Sequence, residues 1–322
     1  MNLLNKILFK IKKKIIDLLY KLKINFIFYT CYWVIKKNFF NNRKKIKFKN
    51  YLSIRVHPGA GIGHQLSNYN SALWFAKKFQ LNHCHNKFPN KLWENLLNFS
   101  KNSVNTLDII KKNYKIIQLP RFNEFDTDHL NIIKKIINYY SNQKILFMLE
   151  YDQSFKSQFQ IANILKFKFF NKRNLLKDKI IFSKNYFNIA VHYRSGDILK
   201  NENLMSQRML SNDYYLKSIK KALTLKPKNK KSIVYIFSQG HNLKKLLKKH
   251  NIRFQDCSRF NQFSTFLHFI YSDLLITSKS SFSYKAGLIG NNIKISPKDF
   301  WHKYPKNDKK WFLIDNNYKL KI

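Results

Sequence analysis

The sequence predicts an α/β protein in which parallel strands are covered by helices. Three observations lead there. In the second half of the chain, apolar runs of strand length alternate with stretches of helical period, the pattern of a parallel sheet with crossover helices. Near residue 51 a short strand, a glycine-bearing turn and a helical stretch follow one another. Finally, 44% hydrophobic and 16% aromatic residues, including 29 Phe and 18 Tyr, suffice for a core and exclude a wholly disordered polycation, despite a formal charge of +44. At about 150 residues per domain, a chain of 322 residues suggests roughly two domains.

Taken in order, residues 1–50 form a basic amphipathic segment, with apolar residues set between lysines as in Ile7-Leu8-Phe9-Lys10-Ile11-Lys12. Its most apolar stretch, from Ile24 to Ile35, is shorter than the roughly 20 residues that cross a bilayer as a helix. No small-residue cleavage site follows it before Lys36-Lys37, so a signal peptide is not expected. Two readings stand: a peripheral anchor drawn to an anionic membrane surface, or a solvated helix packed on the main body. From Tyr51, Leu52 to Val56 reads as a strand, Pro58 to Gly63 as a turn and Gln65 to Phe79 as a helix. Between Leu81 and Lys179 only a helix at Leu130 to Tyr140 and a strand at Lys144 to Leu149 stand out. Beyond them, strands are expected at Asn188–His192, Ser232–Phe237, Ile252–Phe254 and Asp273–Thr277, with helices at Tyr214–Leu225, Leu243–His250 and Phe263–Tyr271. The expected division is a basic N-terminal segment at 1–50, an N-terminal domain at 51–182 and a C-terminal domain at 183–322.

The charge arises from 61 Lys and Arg against 17 Asp and Glu, yet only eight of the basic residues are arginine. Lysine is spread throughout, as are Asn, Ile and Phe, so much of the basicity is a general residue bias. No RNA-recognition motif, zinc-finger spacing or Arg-rich helix accompanies it, and nucleic acid is not the expected partner. Cys31, Cys84 and Cys257 cannot make a disulfide framework, which suits a reducing compartment; a cytoplasmic protein, peripheral at the inner face of a membrane, is expected.

Three segments at strand ends carry chemistry. Gly59-Ala60-Gly61-Ile62-Gly63-His64-Gln65-Leu66 holds three of the seven glycines, which either let backbone approach an anion or serve a tight turn at positive φ. His192-Tyr193-Arg194-Ser195-Gly196-Asp197 places His, Arg and Asp together at a strand exit, with the planar guanidinium of Arg194 suited to a diphosphate. Thr277-Ser278-Lys279-Ser280-Ser281-Phe282-Ser283 brings hydroxyls and amides to a helix start, where Ser280 or Ser281 either meets an anion or caps the helix.

In this order the three segments resemble the fucosyltransferase superfamily that contains the α1,2- and α1,6-fucosyltransferases, including the rhizobial nodulation branch. His192 to Asp197 resembles its H-x-R-x-x-D signature, the third segment its apolar strand running into S/T-F-S, and Gly61-Ile62-Gly63-His64-Gln65-Leu66 its early G-x-G-x-Q-L loop. The resemblance implies a GT-B-like fold, two Rossmann-like halves with a donor cleft between them, and inverting, metal-independent transfer of fucose from GDP-fucose to a glycan or lipid-linked glycan. It implies no cofactor and no metal site, GDP-fucose being the donor substrate. Arg194 would hold the diphosphate and take leaving-group charge. Glu202, five residues beyond Asp197, has the spacing of the α1,6 branch's catalytic carboxylate; Asp197 competes for the role of base, and both have plain structural alternatives. Gly61, Gly63, Gln65, His192, Ser238, Ser280, Ser281, Phe282 and Ser283 complete the expected donor site.

The chain departs from the family at Ser195, where the double-arginine form has a second basic residue, and at Tyr284-Lys285, where α1,2 enzymes tend to carry tryptophans. Phe237-Ser238-Gln239-Gly240 stands where an acidic strand-end turn is usual, and Asp256 could bond guanine or cap a helix. A metal-dependent GT-A transferase is the rival enzyme, because Asp126-Thr127-Asp128 has D-x-D spacing. Those acids directly precede a helical stretch, so capping is the expected role. His83-Cys84-His85 is too tight for zinc and is read as structural. A non-catalytic membrane- or nucleic-acid-binding protein on a transferase scaffold is the non-enzyme alternative.

Overall fold

The computed structural model describes residues 48–56, 59–151, 155–171, 179–194, 206–238, 242–315 and the strand at Leu320–Lys321. The expected amphipathic helix within residues 1–50 lies almost wholly outside these. Among the described residues, no helix is long and apolar enough to cross a membrane.

The chain divides into two compact units. Of the described residues, the first takes those within 48–56, Ser71–Lys87 and 102–151, and the second those within 59–70, Phe88–Lys101 and 155–321.

The first unit holds a sheet in the order β3-β2-β1-β5-β4, built from β1 (Tyr51–Ile54), β2 (Asn82–His85), β3 (Val104–Asn105), β4 (Lys115–Gln118) and β5 (Ile145–Leu149). Every pairing is parallel. Parallel strands are covered on both faces and so read as apolar runs, as in Ile145-Leu146-Phe147-Met148-Leu149. The buried hydroxyl of Ser53 on β1 is satisfied at 2.7 Å by Thr106, which opens the helix after β3. His83 and Cys84 lie on β2, with the Cys84 thiol turned to the Leu52 carbonyl, and no group of three or more potential metal ligands occurs among the described residues.

Helix Thr127–Tyr139 of this unit buries Ile133, Ile136 and Ile137, one face at helical spacing. Asp126 is its N-cap: its carboxylate accepts hydrogen bonds from the amides of Asp128 at 3.0 Å and His129 at 3.1 Å. The D-x-D spacing is therefore a helix start. Sequence reading left 81–179 largely unassigned because its elements are short, β2 to β5 having at most five residues each.

In the second unit the sheet order is β12-β11-β10-β9-β6-β7-β8, with β6 (Tyr186–Tyr193), β7 (Lys231–Ser238), β8 (Phe254–Asp256), β9 (Leu274–Ile276), β10 (Ile293–Pro297), β11 (Trp311–Ile314) and β12 (Leu320–Lys321). All neighbours are parallel except β12, which runs antiparallel to β11. The long strands β6 and β7 share eight residues of register from Tyr186↔Lys231 to Tyr193↔Ser238. Helices Asn212–Thr224, Asn242–Lys249, Gln262–Tyr271 and Ser281–Ile289 alternate with the strands, as the sequence pattern predicts. Ser211, Asn261 and Ser280 are the N-caps of the first, third and fourth of these. Strand β8 begins two residues later than expected. The chain leaves the preceding helix through Asn251 at φ 51°, and the Ile252 amide still bonds the Leu247 carbonyl at 3.0 Å, so pairing with β7 starts only at Phe254.

Two lysines are buried in this unit. Lys294 on β10 donates to the Gly290 carbonyl at 3.0 Å and lies 5.6 Å from the Trp311 ring centroid. Lys285 is fully buried, 5.2 Å from the Tyr284 ring, and its ammonium has no hydrogen-bond acceptor among the described residues. Burial pushes the Lys294 amine down to about 7, with Lys166 and Lys310 acting the same way and Asp308 opposing them.

Two measurements check this account. Asp126→Ala should lower stability by about 1 kcal/mol in chemical denaturation, whereas Asp126→Asn, which keeps the cap, should stay within a few tenths. Because the folded-state pKa of Lys294 lies below its unfolded value, the unfolded chain binds more protons between about pH 7 and the ordinary lysine value. Stability should therefore rise with pH across that window, and Lys294→Met should remove up to about 1.4 kcal/mol per pH unit of that slope, read from thermal melts.

Candidate functional site

A cavity of about 530 Å³ opens at the carboxyl ends of the second unit's strands, and every described residue lining it belongs to that unit. This is where parallel α/β sheets bind ligands, because helix N-termini and strand-end loops converge there, and the volume is that of an ordinary small-molecule site.

Strand β6 ends in His192, Tyr193 and Arg194, all of which line the cavity. The imidazole Nδ1 of His192 shares a hydrogen bond of 2.8 Å with the Ser278 hydroxyl, and its ring lies 5.2 Å from Phe269 and 5.8 Å from Phe282. Tyr193 donates to Asn212 at 3.1 Å, which ties the end of β6 to the helix behind it, and Tyr214 of that helix donates to the Thr277 carbonyl at the end of β9 at 3.0 Å. Burial raises the phenol of Tyr215, while the Arg194 amide and guanidinium beside it act in the opposite sense.

The glycine loop supplies the cavity's second edge. Helix Ile62–Lys78 begins three residues earlier than the apolar period suggests, because the Gly61 carbonyl already accepts the amides of His64 at 3.0 Å and Gln65 at 3.1 Å. Its residues up to Asn70 belong to the second unit. No described glycine has positive φ, so the tight-turn explanation of this loop does not hold. At Gly63 the reason is close approach: a Cβ there would lie 2.8 Å from the Phe282 amide nitrogen, 2.8 Å from the Ser281 carbonyl carbon and 2.9 Å from Ser281 Cβ. At Gly61, which lines the cavity, a Cβ would meet nothing within 4 Å.

Ser280, Ser281 and Phe282 form the third edge. Ser280 accepts the Phe282 amide at 3.3 Å and is the helix cap. His302 is held neutral: its Nδ1 donates to the Phe155 carbonyl at 3.2 Å, so Nε2 accepts from Ser281 Oγ, also at 3.2 Å. Burial first, and then the Lys285 charge, push this imidazole down. The Phe282 ring joins Phe266 at 5.2 Å and Phe269 at 5.9 Å in an aromatic floor.

Two expected residues sit behind these edges. Gln65 is buried and donates to the Ala60 carbonyl at 2.6 Å, bracing the glycine loop. Ser283 is fully buried; its hydroxyl donates to the Ser280 carbonyl and accepts the Ser278 amide, both at 3.4 Å. Asp197 and Glu202 lie outside the described residues. Asp256 neither caps a helix nor lines the cavity: its carboxylate ion-pairs with Lys244 and accepts the Ser258 amide at 3.0 Å.

Sequence reading missed part of the lining. Phe237 borders the cavity at the end of β7 beside the expected Ser238, and Cys257, Ser258, Phe260, Gln262 and Thr265 border it beyond β8. Their only sequence signal was position after a strand. Burial, with the Asp256 charge adding to it, raises the Cys257 thiol to about 12, so it is a protonated wall and not a nucleophile near neutrality. Arg208 and Trp301 were also missed, lying in short segments without periodicity. No carboxylate is among the described residues of the lining, while both Arg194 and Arg208 are.

Compared with protein-family models the chain matches none, and it matches no curated protein. Among solved structures it is similar to the fucosyltransferase NodZ from Bradyrhizobium, at 13% identity over 85% of this chain and 98% of that one, with a TM-score of 0.46. NodZ alpha-1,6-fucosyltransferase co-crystallized with GDP shows the same identity, coverage and score. POFUT1 in complex with GDP is similar at 11% identity over 77% of this chain and 98% of that one, with a TM-score of 0.44.

The close contact at Gly63 is directly testable. Gly63→Ala forces a methyl group against backbone and should destabilise the protein by about 1–3 kcal/mol, measured by denaturant titration, whereas Gly61→Ala should leave folding stability within about 0.5 kcal/mol.

Proposed function

We propose that this chain is an inverting, metal-independent glycosyltransferase that moves fucose from GDP-fucose to a glycan or lipid-linked glycan. The observation that carries this reading is that the three separate segments resembling the fucosyltransferase motifs, around Gly61, His192 to Arg194 and Ser280 to Phe282, border one cavity.

A departing nucleoside diphosphate carries charge that must be stabilised as the glycosidic bond breaks, and fixed donors serve better than water because they need no reorganisation. Arg194 is half-buried at the end of β6 and takes this role with its donor fork. His192, oriented through Ser278, faces the donor's phosphate or sugar. The amides opening the helices at Ile62 and Ser281 add positive partial charge to the same cavity. Gly61 and Gly63 let the donor and the neighbouring helix come close, Gln65 and Ser283 hold the two loops in shape, and Ser238 and Phe282 border the nucleotide. Glu202 deprotonates the acceptor hydroxyl, with Asp197 as the alternative base.

The D-x-D pair supports the metal-independent mechanism over its rival, because Asp126 is committed to a helix cap and neither acid lines the cavity. Residues 1–50 are proposed to bind the anionic inner surface of a membrane, where lipid-linked acceptors are built.

Thermal shift with GDP, UDP, CMP and their sugars tests the donor. GDP and GDP-fucose should raise the melting temperature, reflecting about 2.7 kcal/mol at a hundredfold excess over Kd. Arg194→Ala should keep the fold and reduce kcat by about 10²–10³-fold, and turnover should survive EDTA. A preference for another nucleotide, or full activity in Arg194→Ala, defeats the proposal.

A further inference from the structure

The lining contains a second guanidinium that the family resemblance does not account for. Arginine is scarce here, eight residues against 53 lysines, yet two of those eight line one cavity in which no described residue is acidic. The Arg208 guanidinium carbon lies 5.4 Å from the centroid of the Trp301 ring, and both side chains are half-buried at the cavity wall. A guanidinium over an indole gives its face to the ring and keeps its in-plane N–H groups for an oxyanion, a geometry unavailable to lysine. The Trp301 platform is itself anchored. It packs 4.1 Å from Phe300, and the next residue, His302, is pinned between the Phe155 carbonyl and Ser281, each at 3.2 Å. Beside Arg194 the sequence has Ser195 where a second basic residue would stand in the double-arginine form.

We propose that Arg208, braced by Trp301, is the second diphosphate-binding residue of this site and replaces, from thirteen positions further along the chain, the charge missing at Ser195. This rests on the reading of the cavity as a nucleoside-diphosphate site. Arg208 contacts the phosphate oxygens directly, and Trp301 is a positioning residue that acts through it. Two guanidinium forks balance a diphosphate more completely than one, so the second fork contributes both to donor affinity and to stabilising the leaving group.

Isothermal titration of the full-length protein with GDP and with guanosine separates the phosphate contribution from that of the base. Arg208→Ala should weaken GDP binding about 10–100-fold and leave guanosine binding unchanged. Arg208→Gln, close in size and uncharged, should do the same and carries the test if the alanine variant does not fold. Trp301→Leu should weaken GDP binding to a smaller degree, and Trp301→Phe, which keeps an aromatic face, should restore it. GDP affinity within twofold of wild type in Arg208→Gln overturns the inference, as does an equal loss of guanosine binding. Wild-type protein that binds none of GDP, UDP and CMP instead overturns the underlying reading of the cavity, and this inference with it.

Discussion

The second unit depends on one close contact between two backbones. The Cα of Gly63 lies against Ser281 and Phe282, leaving no room for a side chain between the start of the helix at Ile62 and the start of the helix at Ser281. Two helix N-termini thereby border a single cavity, and the positive ends of their dipoles face it before any side chain contributes. Gln65 and Ser283, both buried, hold the two loops from behind through hydrogen bonds to the carbonyls of Ala60 and Ser280. Arg194 and His192 then need only leave the end of β6 to border the same cavity.

The chain's basicity and the cavity's chemistry are different things. Among the described residues most lysines are exposed, as in helix Asn242–Lys249, where Lys245, Lys248 and Lys249 face solvent. Such charges act at long range and are screened by salt. In the cavity, the cationic side chains among the described lining are both arginines, and one of them, Arg208, stands over the Trp301 ring. A planar fork held against rigid aromatic surface loses less entropy on binding phosphate than a flexible ammonium would. Net charge of +44 thus indicates little about this site, whereas the placement of rare arginines indicates a good deal.

Much of the second unit was legible because its strands are apolar runs and its helices carry a clear period. Asn188 to His192, Ser232 to Phe237 and Phe263 to Tyr271 each lie within an observed element of the expected type. Where reading failed, local chemistry was at fault. The region 81–179 consists of strands too short to show a pattern, and Ile252 looks like strand while its amide still closes the preceding helix. The three strand-end segments were legible as candidate chemistry because hydroxyls, glycines and an arginine follow apolar strands. Trp301 follows β10, a strand the sequence pattern did not mark, and Arg208 lies in a short segment without periodicity, so only three-dimensional proximity reveals them.

Glycine usage unites these points. Left-handed backbone in the described residues falls on Gln80, Asn98, Asn102, Asn113 and Asn251, and on no glycine. Asparagine tolerates this conformation because its short side chain bonds nearby backbone, so an Asn-rich, glycine-poor chain can end helices without glycine. Glycine is then kept where absence of a side chain matters sterically, as at Gly63 and at Gly290, where a Cβ would lie 2.7 Å from Asn292 Oδ1. Of the three glycines between Gly59 and Gly63 only Gly63 answers to close approach, a Cβ at Gly59 or Gly61 meeting nothing within 4 Å. The position where backbone meets backbone is accordingly the position from which the rest of the cavity is built.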